Sequence, residues 1–301
     1  MLSDCFFQYQ DIKRFKDRLL VLLADICLSP EKQLRQFNCL PQWERDLLCI
    51  QWNQTQKPLN DQRCIHQMID QQAQEHPHET AVVYENTCIN FQELKDLTDN
   101  IAWKLQHMGV QAQSCVGLFT ERSLEMIVGI ESILKAGGAY VPIDIHASSN
   151  RIAHMINDAG LKLVLTMSRL IPLLSEHNVL TVCLDHIDLK TNDPCCIPRP
   201  MSIPNHLAYI MYTSGSTGHP NGVMIEQAAL THLYWGLYET IYSSFNQSCR
   251  IALNGPISFD TSVKQIIQIA GGHCLVIIPE NVRSHPIKLN HLVKGFKVSA
   301  G

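Results

Sequence analysis

Between Cys115 and Leu184 short apolar runs alternate with stretches of helical spacing. Cys115–Phe119 and residues 139–143, 161–166 and 180–184 read as strands. Residues 123–136 and 150–159 read as helices, the first with Leu124, Ile127, Val128 and Leu134 turned inward and the second ended by Gly160. A helix between two strands leaves room only for parallel pairing, because a parallel neighbour needs a crossover about as long as a helix. The expected fold class is α/β, with mixed, largely parallel sheets covered by helices.

The flanks extend this pattern. Residues 64–75 read as a helix closed by His76-Pro77, and residues 80–84 and 87–91 as a hairpin around Glu85-Asn86. Asn90 reads as a helix N-cap, with Glu93 three residues later completing a capping box. Phe91, Leu94, Leu97, Ile101, Leu105 and Met108 form the buried stripe of that helix, and Gly109 stops it. Further on, residues 226–238 read as a helix, 250–253 as a strand, 263–270 as a helix ended by Gly271-Gly272, 273–278 as a strand and 286–293 as a helix. Ahead of all this, residues 11–28 carry Ile12, Phe15, Leu19, Leu22, Leu23 and Ile26 at helical spacing, stopped by Ser29-Pro30.

The chemistry concentrates in residues 212–222, Tyr-Thr-Ser-Gly-Ser-Thr-Gly-His-Pro-Asn-Gly. They follow the apolar run 207–212, which reads as a buried strand, and precede Val223-Met224-Ile225. Glycines allow the backbone to approach a ligand closely. The hydroxyls of Thr213, Ser214, Ser216 and Thr217 add donors, and successive backbone N–H groups in such a loop make an anion-binding concavity. A flexible surface turn is the competing reading. The common nucleotide P-loop, G-x-x-x-x-G-K-[ST], is absent.

Composition narrows the function classes. Of 301 residues, 46% are apolar and 17% charged, enough apolar content for a large core. A net charge of −4 without a basic block argues against a nucleic-acid or membrane-surface partner. The 12 cysteines form no C-x-x-C pair, and no secretory leader or membrane-length apolar run is visible, so reduced thiols in a cytoplasmic setting are expected. No histidine sits in H-E-x-x-H or H-x-x-x-H, so no protein-held metal is expected.

The run from Leu207 through Gly218 resembles the phosphate loop of the adenylate-forming enzymes, most closely the adenylation domains of nonribosomal peptide synthetases. Leu134-Lys135-Ala136-Gly137-Gly138-Ala139-Tyr140-Val141-Pro142-Ile143-Asp144 is similar to a second motif of that family, and Phe259-Asp260-Thr261-Ser262 matches its F-D-x-S motif. The resemblance implies ATP and Mg²⁺, with Thr213, Ser214, Gly215, Ser216, Thr217, Gly218 and Asn221 at the phosphates. It implies that Asp260 pairs with the ammonium of an amino-acid substrate, although Asp260 taken alone also reads as an N-cap carboxylate. Two departures stand out. Asn221 occupies the position of the family's loop lysine, and residues 145–150 replace its Pro-x-Tyr-Pro.

The resemblance further implies a domain plan. Residues 1–55 would be the C-terminal remnant of a condensation domain with its linker, a short helical leader. Residues 56–301 would be an incomplete large N-terminal subdomain of the adenylate-forming fold. The N-x-Y-G-P-T-E and T-G-D motifs, and the C-terminal subdomain with the catalytic lysine, lie outside this sequence, so no catalytic residue is assigned. Apolar surface is therefore expected to be left open over residues 263–278. The implied function is activation of an amino acid as aminoacyl-AMP, in partnership with other synthetase modules or a carrier domain. An inactive remnant that at most binds nucleotide or a partner synthetase, and an acyl- or aryl-acid ligase, are the alternatives.

Overall fold

The computed structural model describes residues 8–58, 61–186, 196–214, 220–245 and 247–295. The chain divides into two units, Met1–Asn60 and Asp61–Gly301. In the first, helix α1 (Tyr9–Leu28) opens on a capping box formed by Gln8 and Asp11. It is tied to α2 (Gln42–Cys49) by the Arg18 guanidinium, whose Nε donates to Glu44 Oε2 at 2.8 Å. Of the apolar stripe of α1, Ile12, Phe15, Leu19, Leu23 and Ile26 are exposed and Leu22 is half-buried.

The second unit begins with α3 (Ile65–Glu75), the hairpin β1 (Thr80–Tyr84) and β2 (Thr87–Asn90), and α4 (Phe91–His107). The Asn90 capping box forms as expected: Asn90 Oδ1 accepts from the Glu93 amide at 2.8 Å and the Glu93 carboxylate accepts from the Asn90 amide at 2.8 Å. Then come β3 (Cys115–Phe119), α5 (Leu124–Lys135), β4 (Ala139–Pro142), α6 (Ser149–Asp158), β5 (Leu163–Thr166) and β6 (Leu180–Cys183). The chain continues with β7 (Leu207–Ser214), β8 (Pro220–Glu226), α7 (Gln227–Thr240) and β9 (Arg250–Leu253). It closes with α8 (Asp260–Ile266), β10 (Cys274–Ile277), α9 (Glu280–Arg283) and α10 (Pro286–Gly295).

Two sheets result. The larger has the order β6-β5-β3-β4-β7-β8, parallel except for the antiparallel edge strand β8. The smaller has the order β2-β1-β10-β9, in which β2 alone is antiparallel. Helix α5 touches β3 and β4 of one sheet and β1 of the other. That position explains its composition: every residue from Leu124 to Lys135 except Glu125 is buried, including Glu131 and Lys135. The Lys135 ammonium is compensated by Asp70 Oδ1 at 2.5 Å and Asp99 Oδ1 at 2.7 Å.

The Gly137-Gly138 pair is structural. Gly137 takes φ +93°, and a β-carbon there would lie 2.9 Å from Met201 Cβ, a turn that only glycine makes without strain.

Residues 263–278 correct one expectation. Val263, Ile266, Ile267, Ile269, Ala270, Leu275 and Ile277 all lie in the main core. Val276 and Ile278 pack in a second cluster with Val83 and Cys274, against Val282, Leu289 and Leu292. Helices α9 and α10 thus cover the face expected to be open. The helix read over 263–270 begins earlier and tightens into a 3₁₀ turn, Ile267–Gly271, before Gly272 at φ +76°.

Candidate functional site

In an open parallel sheet every strand delivers its carboxyl end to the same side, and ligands bind in the crevice there. A cleft of about 820 Å³ lies at that side. Its walls come from the end of β4 and the turn after it (Pro142, Asp144, His146, Ala147), from α6 (Arg151, Met155), from the β7–β8 hairpin, and from the segment before α8 (Ser258, Phe259, Asp260). The volume falls within the range of small-molecule sites.

The hairpin contributes Tyr209, Met211, Tyr212 and Thr213 from β7, and Val223 and Ile225 from β8. Its ladder pairs Tyr212 with Gly222, Thr213 with Asn221 and Ser214 with Pro220. The glycine-rich stretch therefore joins two antiparallel strands. Thr213 lines the cleft, and Asn221 stands opposite it in the ladder, exposed. Ser214 ends β7. Gly215, Ser216, Thr217 and Gly218 lie outside the described residues.

Asp260 lines the cleft too, 47 positions further along the sequence than Thr213. It is not the N-cap of α8: Phe259 holds that position, and no side chain caps the helix. Asp260 is the first helical residue, its carboxylate 69% exposed and 3.3 Å from the Lys264 ammonium. The buried Ser262 Oγ donates to the Phe259 carbonyl at 2.7 Å. That bond closes the turn and turns Phe259 and Asp260 outward. Across the cleft, burial and then the negative charge of Asp260 raise the Tyr209 phenol above its ordinary pKa.

The segment carrying Asp260 is itself held from the other sheet. Arg122, just beyond β3, donates from its guanidinium to the carbonyls of Leu253 at 2.9 Å and Asn254 at 2.8 Å, and to that of Gly255. Its Nε lies 3.1 Å from Glu280 Oε2.

The cleft thus brings together Thr213 and Asp260, singled out from unrelated parts of the sequence. His146, Arg151, Tyr209, Met211 and Phe259 complete its lining without having been singled out as site residues. Their signal was positional: each follows the carboxyl end of a parallel strand, or sits in one. No group of three His, Cys, Asp or Glu side chains that could hold a metal occurs among the described residues. No helix there is long and apolar enough to cross a membrane.

Comparison with known proteins agrees with this architecture. The family model described as "AMP-binding enzyme" matches residues 69–300. The chain is 34% identical over 289 residues to tyrocidine synthase 3 of Brevibacillus parabrevis, covering 96% of this chain and 4% of that protein. It is 34% identical over 279 residues to bacitracin synthase 1 of Bacillus licheniformis, covering 92% of this chain and 5% of that one. The chain therefore spans about one twentieth of the length of these relatives. Among solved structures, a nonribosomal peptide synthetase also determined with AMPPNP superposes with a TM-score of 0.79 at 24% identity, over 97% of this chain and 31% of that one. A fatty acyl-adenylate ligase from L. pneumophila superposes with a TM-score of 0.70 at 21% identity, over 78% of this chain and 43% of that one.

Proposed function

The chain belongs to the AMP-binding enzyme family, and from that premise we propose that its cleft binds ATP and an amino acid and supports formation of an aminoacyl adenylate. One observation carries this reading. The strand that enters the glycine-rich loop and the exposed carboxylate of Asp260 line the same cleft.

In the proposed reaction the amino-acid carboxylate oxygen attacks the α-phosphorus of ATP. The new O–P bond replaces the bond to the bridging oxygen, and pyrophosphate leaves. Such a transfer needs positioning and charge compensation more than covalent help from the protein. Thr213, Ser214, Gly215, Ser216, Thr217 and Gly218 are assigned to the phosphates, with Asn221 supplying an uncharged amide beside them. Asp260 is assigned to the substrate ammonium, a charge-assisted hydrogen bond. The arrangement suits both partners: Asp260 is exposed at the cleft wall, and its Lys264 neighbour is itself 47% exposed, so a substrate ammonium can displace it. Mg²⁺ would enter on the nucleotide phosphates and share their charge. Among the described residues, Asp144 and Asp260 are the carboxylates that line the cleft. Other synthetase modules or a carrier domain are the proposed partners, on the strength of the synthetases this chain resembles.

A second reading, nucleotide binding without turnover, draws its support from Asn221, which brings no positive charge to the phosphates. Acyl- or aryl-acid activation is disfavoured by Asp260, since an apolar acid brings no ammonium to meet a carboxylate at the cleft wall. Pyrophosphate exchange by this chain separates the three. Exchange that depends on a proteinogenic amino acid supports the proposal. Exchange driven only by fatty or aryl acids, or none despite ATP binding, overturns it.

A further inference from the structure

Helix α6 meets the β7–β8 hairpin through a polar stripe, and the stripe reaches both sides of the loop. Positions 151, 154, 155 and 158 share one helical face. Arg151 and Met155 line the cleft. His154 Nε2 donates to the Pro220 carbonyl at 3.0 Å; the carbonyl can only accept, which places the proton on Nε2. Asp158 Oδ2 accepts from the Tyr212 hydroxyl at 2.6 Å. Burial first, and then this bond to Asp158, raise the Tyr212 phenol, so it remains a donor. His154 and Tyr212 also meet edge to face, ring centroids 6.3 Å apart.

The hairpin is built to accept this. Gly222 is the ladder partner of Tyr212. A β-carbon at Gly222 would lie 2.9 Å from Ile210 Cγ2 and 3.2 Å from Tyr212 Cζ. The absence of a side chain there lets the Tyr212 ring lie across β8 while its hydroxyl reaches Asp158. Strand β8 is the edge of its sheet, and edge strands are the first to open. Pro220 begins β8 and Tyr212 lies two residues from the end of β7, so the two bonds to α6 fall close on either side of the loop.

We propose that His154, Asp158 and Tyr212 are positioning residues for nucleotide binding: they pin the two ends of the hairpin to α6 and so hold Thr213 and Asn221 in register before ATP arrives. This rests on the proposed function. A preorganised loop binds more tightly because less ordering remains to be done on association.

The test combines hydrogen exchange of the free protein with calorimetric ATP–Mg²⁺ titration and amino-acid KM in pyrophosphate exchange. The variants are Tyr212→Phe, His154→Ala and His154→Gln. Tyr212→Phe and His154→Ala are expected to speed exchange in β7 and β8 while leaving β3 and β5 protected. They are expected to weaken ATP binding by about tenfold, with amino-acid KM unchanged. His154→Gln, which keeps a donor able to reach the Pro220 carbonyl, is expected to restore most of both. Unchanged exchange in the two disruptive variants overturns the pinning. Exchange that rises over the whole sheet overturns it as well, since the residues are then merely structural. Wild-type ATP binding that neither variant weakens overturns the nucleotide role alone. No ATP binding by the wild type overturns the proposed function itself, and the exchange data still decide the pinning.

Discussion

The Arg122 guanidinium holds the Leu253 carbonyl at 2.9 Å, joining the loop after β3 of the larger sheet to the end of β9 in the smaller one. Its side chain is 9% exposed. Burial lowers its pKa, against the raising effect of Glu280, but a guanidinium stays charged. Removing it would take a donor from the carbonyls of Asn254 and Gly255 and leave that of Leu253 with only the Ile278 amide, at 3.2 Å. We expect Arg122→Ala to cost about 3 kcal/mol in urea unfolding. Arg122→Lys is expected to recover less than half, because one ammonium cannot serve three carbonyls in a fixed fork. A lysine variant as stable as the wild type would show that charge alone matters here.

Helices α3 and α5 carry two groups whose titrations oppose one another. Burial pushes the Glu131 carboxyl up to about 8 from an ordinary 4.5, with Lys135 partly offsetting it and Asp70 adding to it. Burial, then Lys135, pushes the His66 imidazole down to about 3 from 6.5, with Asp99 opposing. Between pH 4.5 and 8 the folded chain keeps a Glu131 proton that the unfolded chain has released, so stability falls as pH rises. Between pH 3 and 6.5 the unfolded chain binds a His66 proton that the folded chain refuses, so stability falls as pH drops. The slopes cancel where the windows overlap. Above that overlap Glu131 acts alone, and stability should fall by about 2 kcal/mol on going to about pH 8. Glu131→Gln should flatten this alkaline limb and leave the acid limb in place. Unfolding curves across the range check both, and an unchanged alkaline limb in Glu131→Gln would refute the assignment.

Most of the architecture was legible because local signals agreed with one another. The Asn90–Glu93 capping box, the Gly109 stop and the strand–helix alternation over 115–184 all form where spacing put them. What stayed hidden depends on contacts between distant segments. Asp260 taken alone reads first as a cap, and only the fold shows that Phe259 holds the cap position and that Asp260 lines the cleft. The closure of residues 263–278 required α9 and α10 to fold back over β10, which no periodicity encodes. Arg122, His154 and Asp158 look like ordinary surface polars in the sequence. Their roles arise from the backbone carbonyls and the tyrosine that the sheets bring to them.

Asp260 allows stability and function to be separated. Its pairing with Lys264 is an exposed i,i+4 contact at 3.3 Å, worth at most about 1 kcal/mol, and it caps no helix. Asp260→Ala should therefore leave the melting temperature within about 2 °C of the wild type. If the carboxylate holds the substrate ammonium, the same change should raise amino-acid KM about tenfold to a hundredfold, with ATP affinity unmoved. A variant that keeps its amino-acid KM would remove Asp260 from the site. One that loses stability in parallel would make it a structural residue.

Asn221 tests the phosphate assignment most directly. It faces Thr213 across the ladder and is exposed, so a lysine can extend there without a clash. An amide donates hydrogen bonds to a phosphate but adds no charge, whereas a charge-assisted bond contributes about 1.5–3 kcal/mol. In calorimetric ATP–Mg²⁺ titration, Asn221→Lys should bind about tenfold to a hundredfold more tightly than the wild type. The gain should shrink as salt rises, because the added interaction is electrostatic and partly exposed. If both proteins bind and lysine tightens binding, the hairpin presents a working phosphate site that Asn221 has weakened. If both are folded and neither binds, the loop keeps the family's sequence without its function, and the inactive reading replaces the catalytic one.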